Sequence, residues 1–455
     1  MNSSWAREEF GEIELGDKRL RERLITISER FMNSPDKNVA RAMGNWADAK
    51  AAYRFLDNPN VSDKAIVKAH QKKSLERIVA SKKQTILCVQ DTTEVSYAHH
   101  PGLKLGHGRH WNGNAMLIHS MLGVSEEGVP FGLLHQDIWY RTEWQTSEKR
   151  SEKPIEEKES YKWIKGFHAG NKLKENLPDV QVVVIGDRES DIYDLFLDAQ
   201  KTPESRRAEI LVRSSSNRGL ENSEFRGVQD HLKNSALQGE YSVSIDSRKQ
   251  ENKVAILEIR YSQLQVLPPQ NRKEVLPVLA LYGVYCVEKS PPEGVEPISW
   301  FLITTLPVLS LESAIEKIKW YSKRWIVERF FRVLKTGCAI EDRQFREPKR
   351  IQTCLGLDCI VAWRILFLTM IGREVPELPA SVLFEEQEWR ALHAYTYRTK
   401  IPPEKEPTLG ELTLLIAKLG GFLARKGDGP PGELSLWYGF LRLADIVSTW
   451  EIFNT

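Results

Sequence analysis

The chain has 455 residues, of which 41% are hydrophobic and 28% charged, with 64 Lys and Arg against 62 Asp and Glu. That length suits roughly two to four domains of about 100–200 residues each, and the composition is that of a soluble globular protein. The near-neutral balance does not mark the whole chain as a polyanion binder, and no uninterrupted apolar run of about 18 residues suggests a membrane span.

The start, Met1 to Glu9, lacks the apolar stretch of a signal peptide. Five scattered cysteines without a CxxC pair argue against a disulfide framework or zinc ribbon. A reducing cytoplasm is therefore the expected setting.

Residues 1 to about 75 read as helical. Leu20, Leu24, Ile27 and Phe31 recur at helical spacing from Lys18 to Phe31, with Asp17 placed as N-cap. A second helix is expected from Val39 to Phe55, ending at Asp57-Asn58-Pro59-Asn60, and a third from Ser62 to about Val79. Such a basic helical module suits DNA binding, and equally a solvated bundle.

The texture then changes. Thr85 to Gln90 is a short apolar run ending at Asp91, and Met116–Val124 and Val129–Tyr140 read as two strands joined by a turn. A charged stretch, Glu143 to Lys158, leads to a helix around Tyr161 to Leu173. Val180 to Gly186 has the continuous apolar, β-branched pattern of a strand buried on both faces, and it ends at Asp187. A helix from Asp191 and a strand at Ile210–Arg213 follow. This order indicates a mixed sheet. Residues 214 to about 308 hold strand-like runs at 241–245, 254–266, 275–287 and 300–306. From Leu311 the chain reads as helix, broken near Pro348, Pro376, Pro379, Pro402-Pro403 and Gly427 to Gly432.

Asp91 and Asp187 thus close two expected strands, at the edge where open sheets collect ligands and catalytic groups. Strand-ending Asp also serves in turns and caps. A third carboxylate, Glu328, shares a helix with Tyr321, Arg324 and Lys335, at offsets 0, 3, 7 and 14 that fall on one face. Trp320, Trp325, Phe330 and Phe331 suggest that this helix is substantially buried. From Lys319 to Arg350 there are ten Lys or Arg against four acids, a footprint for phosphates or a solvated helix face. Carboxylates beside cations suit phosphodiester cleavage, in which two divalent ions activate the nucleophile and stabilise the leaving oxygen. His99, His100, His107 and His110 lie among glycines without a fixed ligand spacing, and read as a loop near DNA more than a metal site.

Asp187-Arg188-Glu189-Ser190-Asp191-Ile192, joined to the spacing of Tyr321, Arg324, Glu328 and Lys335, resembles the DDE transposases of the insertion-sequence-four type. Ala52-Tyr53-Arg54-Phe55, Asn58 to Ser62, Asp91-Thr92-Thr93, Gly132 to Gln136 and Leu419-Gly420-Gly421-Phe422 extend the likeness over nearly the whole chain. The resemblance implies an α/β fold: a ribonuclease-H-like mixed sheet core over 76–350, interrupted by a β-rich insertion at about 214–308. A helical end-DNA-binding domain (1–75) and a helical dimerisation domain (351–455) would flank it. It implies Asp91, Asp187 and Glu328 as catalytic ligands of two Mg²⁺ ions, with Mn²⁺ able to substitute. Tyr321, Arg324, Lys335 and Arg213 would grip DNA. Arg188 and Glu189 would line the site, and Arg23 and Arg54 would contact the end sequence. Trp300 would stack on a flipped base during a hairpin step. The partners implied are double-stranded transposon-end and target DNA, and a second copy of the chain.

Two regions depart from the family pattern. Ser214-Ser215-Ser216-Asn217-Arg218 is less basic than expected, and the C-terminal third matches loosely outside Gly420-Gly421-Phe422. A metal nuclease without strand transfer and a catalytically silent DNA-binding regulator are the alternative readings.

Overall fold

In a computed structural model, residues 4–34, 38–100, 102–103, 105–106, 113–141, 153–221, 223–245, 253–399, 401 and 403–454 are described. The chain opens with a short helix absent from the sequence reading, α1 (Trp5–Phe10), followed by α2 (Lys18–Asn33). The Asp17 carboxylate accepts the Arg19 N–H at 2.8 Å, so the N-cap lies where expected. The single helix expected over Val39–Phe55 is two, α3 (Val39–Met43) and α4 (Trp46–Leu56). Gly44 takes the left-handed conformation (φ 78°), and Asn45 caps α4 by accepting the Asp48 N–H. Helix α5 spans Asp63–Ser81.

Strand β1 (Thr85–Ser96) runs past Asp91 instead of ending there. Thr92, Thr93 and Val95 are β-branched and suit extended backbone, and Val95 is buried. The strands β2 (Ala115–Val124) and β3 (Pro130–Trp139) form the expected antiparallel pair. Next come α6 (Tyr161–Asn176), β4 (Gln181–Gly186), α7 (Tyr193–Lys201) and β5 (Glu209–Arg213). A helix that the sequence reading missed, α8 (Val228–Asn234), precedes β6 (Gly239–Ile245), β7 (Lys253–Val266), β8 (Leu279–Glu288) and β9 (Ser299–Thr304).

The helix expected from Leu311 is interrupted. Helix α9 (Leu311–Ser322) closes with Lys323 and Arg324 donating to Trp320 and Tyr321, the tighter three-residue pattern. Helix α10 (Trp325–Arg332) then begins and runs into a π-turn, Val333–Gly337. The offsets 0, 3, 7 and 14 therefore do not lie on one straight face. Trp325, expected to be buried, is 55% exposed. The last helices are α11 (Pro348–Glu374), α12 (Glu386–Tyr397), α13 (Leu409–Leu419) and α14 (Glu433–Asn454), with breaks near the expected prolines and glycines.

The chain divides into two compact units. The first comprises Met1–Ser81, Thr92–Trp144 and Ile326–Thr455. At its centre α11 packs on α2, α4, α5, β3, α13 and α14. This helix is long and apolar enough to cross a membrane, but 83% of its apolar window is buried, which accounts for its composition as core packing. Two buried polar networks lie in this unit. His70 accepts the Leu133 N–H at Nε2 (2.9 Å), which leaves Nδ1 to donate to Glu9 (2.5 Å). Arg77 joins Glu9 at 2.8 Å and stacks 4.2 Å from the Trp363 ring centre. Arg343 and Asp358 pair at 2.6 Å with side chains 2% and 0% exposed.

The second unit comprises Lys82–Asp91 and Gln145–Trp325. Its strand order is β1-β4-β5-β9-β8-β7-β6. The first three strands are parallel, and the rest are antiparallel to their neighbours. The β-rich segment is thus stitched to β5 through β9, with Arg213 opposite Leu302. Helix α6 packs on β4, α7 on β5 and β8, and α9 on β5, β7 and β8. Parallel and antiparallel pairings together make this the mixed sheet that was expected. All five cysteines are buried and free.

Candidate active site

Strand register places the acids. Thr85 pairs with Gln181 and Val89 with Ile185, a constant offset of 96 (181 − 85). Asp91 lies two residues past Val89 on β1, and Asp187 two residues past Ile185, directly after β4 ends at Gly186. Between β4 and β5 the last pair is Gly186 with Val212, and Asp187 and Arg213 are the next residue on each segment. Neighbouring strands lie about 4.8 Å apart, so Asp91 on β1, Asp187 just past the end of β4 and Arg213 at the end of β5 come from one edge of three adjacent strands.

The local sequence explains why the chain turns at Asp187. The run Val182–Ile185 is buried, and Gly186 lets the chain bend tightly, because a Cβ there would meet Ser190 Oγ at 2.3 Å. The Asp187 carboxylate accepts the Glu189 N–H at 2.8 Å and caps the short 3-10 turn Arg188–Ser190. Burial raises its pKa and the charge of Glu189 adds to this, against the Glu189 N–H bond and the charges of Arg324 and Lys162.

Asp91 faces a cation. Arg324 Nη1 donates to its Oδ2 at 3.1 Å, and both side chains are largely covered. The Arg324 guanidinium also lies 6.0 Å from the Tyr321 ring centre and 5.5 Å from that of Trp325. Tyr321 is buried and stands edge to face with half-buried Trp300, ring centres 5.1 Å apart. Arg213 donates to the Ser299 carbonyl at 2.9 Å. Burial lowers its pKa, and the neighbouring charge of Arg188 lowers it further. Arg188 and Glu189 are exposed. The structure therefore brings together Asp91, Asp187, Arg188, Glu189, Arg213, Trp300, Tyr321 and Arg324 in the second unit.

Lys162, which sequence reasoning passed over, belongs to the same neighbourhood. It is buried on α6, and its ammonium lies 3.5 Å from Glu189. The one signal in the sequence was a lysine inside an otherwise apolar helix face, Tyr161-Lys162-Trp163-Ile164.

The other residues expected to act belong to the first unit. Glu328 is half-buried on α10, and Lys335 sits in the π-turn that follows, a distortion often found at functional sites. Arg23 pairs with Asp48 at 3.1 Å, whereas Arg54 is exposed. The basic run is in part an internal network. Arg329 and Arg332 both bind Glu433, Arg343 binds Asp358, and Arg350 binds Asp57. Half of its ten cations, Arg324 among them, are thus directed at carboxylates of the protein, and less of the charge is open to phosphates than the sequence count implied. Of the histidine cluster, His100 bonds the Glu341 carbonyl at 2.9 Å, while His107 and His110 lie outside the described residues. Among the described residues, no three His, Cys, Asp or Glu side chains group as a metal ligand set.

Three family models match the chain. Residues 2–61 match the family described as "Transposase DNA-binding", 139–363 "Transposase DDE domain" and 360–451 "Transposase Tn5 dimerisation domain". The DDE match includes Asp187 and Glu328 but begins after Asp91. Among solved structures, the chain is similar to the piggyBac transposase in a cryo-EM synaptic complex with hairpin DNA. That likeness has 10% identity and a TM-score of 0.32, and it covers 79% of this chain and 66% of the other. With DNA-binding, DDE and dimerisation regions in the order of a Tn5-like enzyme, the chain belongs to the DDE transposases.

Proposed function

We propose that this transposase binds the ends of a mobile DNA element through its N-terminal helices and hydrolyses phosphodiesters there. It then joins the freed 3'-hydroxyl to target DNA, working as a dimer. The observation that carries this reading is the register: Asp91 and Asp187 each lie two residues past the Val89–Ile185 pair of two parallel strands, and Arg213 follows the Gly186–Val212 pair of the next.

The donor set fits a hard divalent ion. The two carboxylates offer oxygen ligands only, and Asp91 already neutralises a cation, Arg324. Glu328 would supply the third carboxylate, and substrate phosphate and water would fill the remaining positions. Two such ions, Mg²⁺ or Mn²⁺, would activate water or a 3'-hydroxyl and stabilise the leaving oxygen.

The chain's other residues act on the DNA. Arg188, Arg213 and Arg324 form a cationic rim that holds the phosphates around the cut. Tyr321 positions Arg324, with Lys335 a further phosphate contact. Trp300 offers its ring face to an extruded base, which supports a hairpin step. Arg23 and Arg54 contact the end sequence.

The test is to incubate purified protein with DNA carrying the inverted repeats that flank its gene, a target plasmid, and Mg²⁺ or chelator. Metal-dependent nicking followed by joined product is expected. Nicking without joining would make it a nuclease, and end binding without nicking a silent regulator.

A further inference from the structure

The segments leaving β4 and β5 are tied together by one buried carboxylate. The Asp191 side chain is 0% exposed. Its Oδ2 accepts the backbone N–H groups of Ser215 (2.7 Å) and Ser216 (3.3 Å) and the hydroxyls of Ser215 (3.2 Å) and Ser214 (3.5 Å). Its Oδ1 accepts Arg218 Nε at 2.9 Å, and Arg218 Nη2 bonds the Asp191 carbonyl. Every donor comes from the loop that follows Arg213, and Asp191 itself lies four residues beyond Asp187. The loop that looked too poor in basic charge thus has its one cation, Arg218, turned inward onto Asp191.

Desolvating a carboxylate is costly, and a neutral turn would close this loop with less penalty. What the charge adds is directional: one oxygen gathers two consecutive N–H groups while the other holds a guanidinium. The two strand ends clamped in this way carry Asp187 and Arg213, the residues that follow the paired Gly186 and Val212. We infer that Asp191 is a positioning residue for strand cleavage. By locking the β4 exit to the β5 exit, it fixes the spacing between the Asp187 carboxylate and the Arg213 guanidinium that a phosphodiester meets. This inference rests on the cleavage reading above.

The test uses the full chain, end-repeat DNA and Mg²⁺, at a temperature well below the Tm of every variant. It reads the single-turnover cleavage rate at saturating DNA and, separately, the Kd for the end. Asp191→Asn should slow cleavage at least about tenfold, the scale of small misplacements at a reacting centre, while Kd stays within about twofold. Arg218→Ala should shift the rate in the same direction by less, because the backbone N–H bonds remain, and Arg218→Lys should recover part of that loss. A merely structural role would lower Tm and leave the rate of the folded protein unchanged. Folded Asp191→Asn that cleaves at the wild-type rate, or that loses binding in step with cleavage, overturns the inference. If Asp191→Asn does not fold, Arg218→Ala decides: an unchanged rate overturns the inference. Wild-type protein that cleaves nothing overturns the cleavage reading itself, and the inference with it.

Discussion

Arg324 reaches Asp91 with Nη1 at 3.1 Å from Oδ2, in a pair whose side chains are only 10% and 19% exposed. A metal ion bound at this carboxylate competes with the guanidinium for its charge. Arg324→Ala should therefore bind Mn²⁺ more tightly than wild type in the absence of DNA. A hydrogen bond to a charged group is worth about 1.5–3 kcal/mol, so even a partial release gives about threefold or more. Calorimetric titration with Mn²⁺ reads this directly, and equal affinities would contradict it. Cleavage should fall in the same variant if Arg324 holds a phosphate as proposed.

Trp300 and Tyr321 meet edge to face at 5.1 Å. If the Trp300 ring receives an extruded base, its loss should affect the hairpin step alone. Base stacking on an aromatic is worth about 1–3 kcal/mol, or about 5- to 150-fold. Trp300→Ala should nick the first strand at close to the wild-type rate and lower hairpin yield by about tenfold. Denaturing gels separate the two products, and a parallel loss of both would show that the residue serves general DNA binding.

Glu9 makes stability depend on pH. Burial would raise its pKa, but the pull of His70 and Arg77 prevails and brings it from 4.5 to about 2. A carboxyl held below its unfolded value contributes stability that is complete above about pH 4.5 and lost as pH falls toward about 2. That difference corresponds to about 3 kcal/mol. Urea unfolding of wild type and Glu9→Gln should show a gap of that order at neutral pH that closes on acidification. A gap that stays constant with pH would refute the assignment.

Arg343 and Asp358 are buried together, and burial raises the Asp358 pKa even beside Arg343. Arg343→Met leaves a buried carboxylate without its partner and should cost about 3–5 kcal/mol in urea unfolding. Adding Asp358→Leu should restore much of the loss. A single variant close to wild type would mean that water or another cation reaches Asp358.

The strands and their acids were legible because β-branched runs such as Val182–Ile185 are local patterns. Asp91 was placed at a strand end because the polar Thr92-Thr93 hid a strand that continues to a buried Val95. The break at Lys323–Arg324 carries no Gly or Pro and could not be read. The break at Gly44-Asn45 was written in ordinary stop and cap residues and was overlooked. What no local pattern encodes is pairing over distance: Arg324 with Asp91, Lys162 with Glu189, and Asp191 with a loop more than twenty residues on. The basic run from Lys319 to Arg350 misled for the same reason, since its carboxylate partners lie far away in sequence, as with Glu433 and Asp57.

On the proposed function, Asp187 holds metal for strand cleavage and takes no part in recognising the end. Wild type and Asp187→Ala should be compared on labelled end-repeat DNA in Mg²⁺, by gel shift for binding and by denaturing gel for nicking. Unchanged end binding with nicking abolished is the expected result. Persistent nicking by Asp187→Ala would contradict the account.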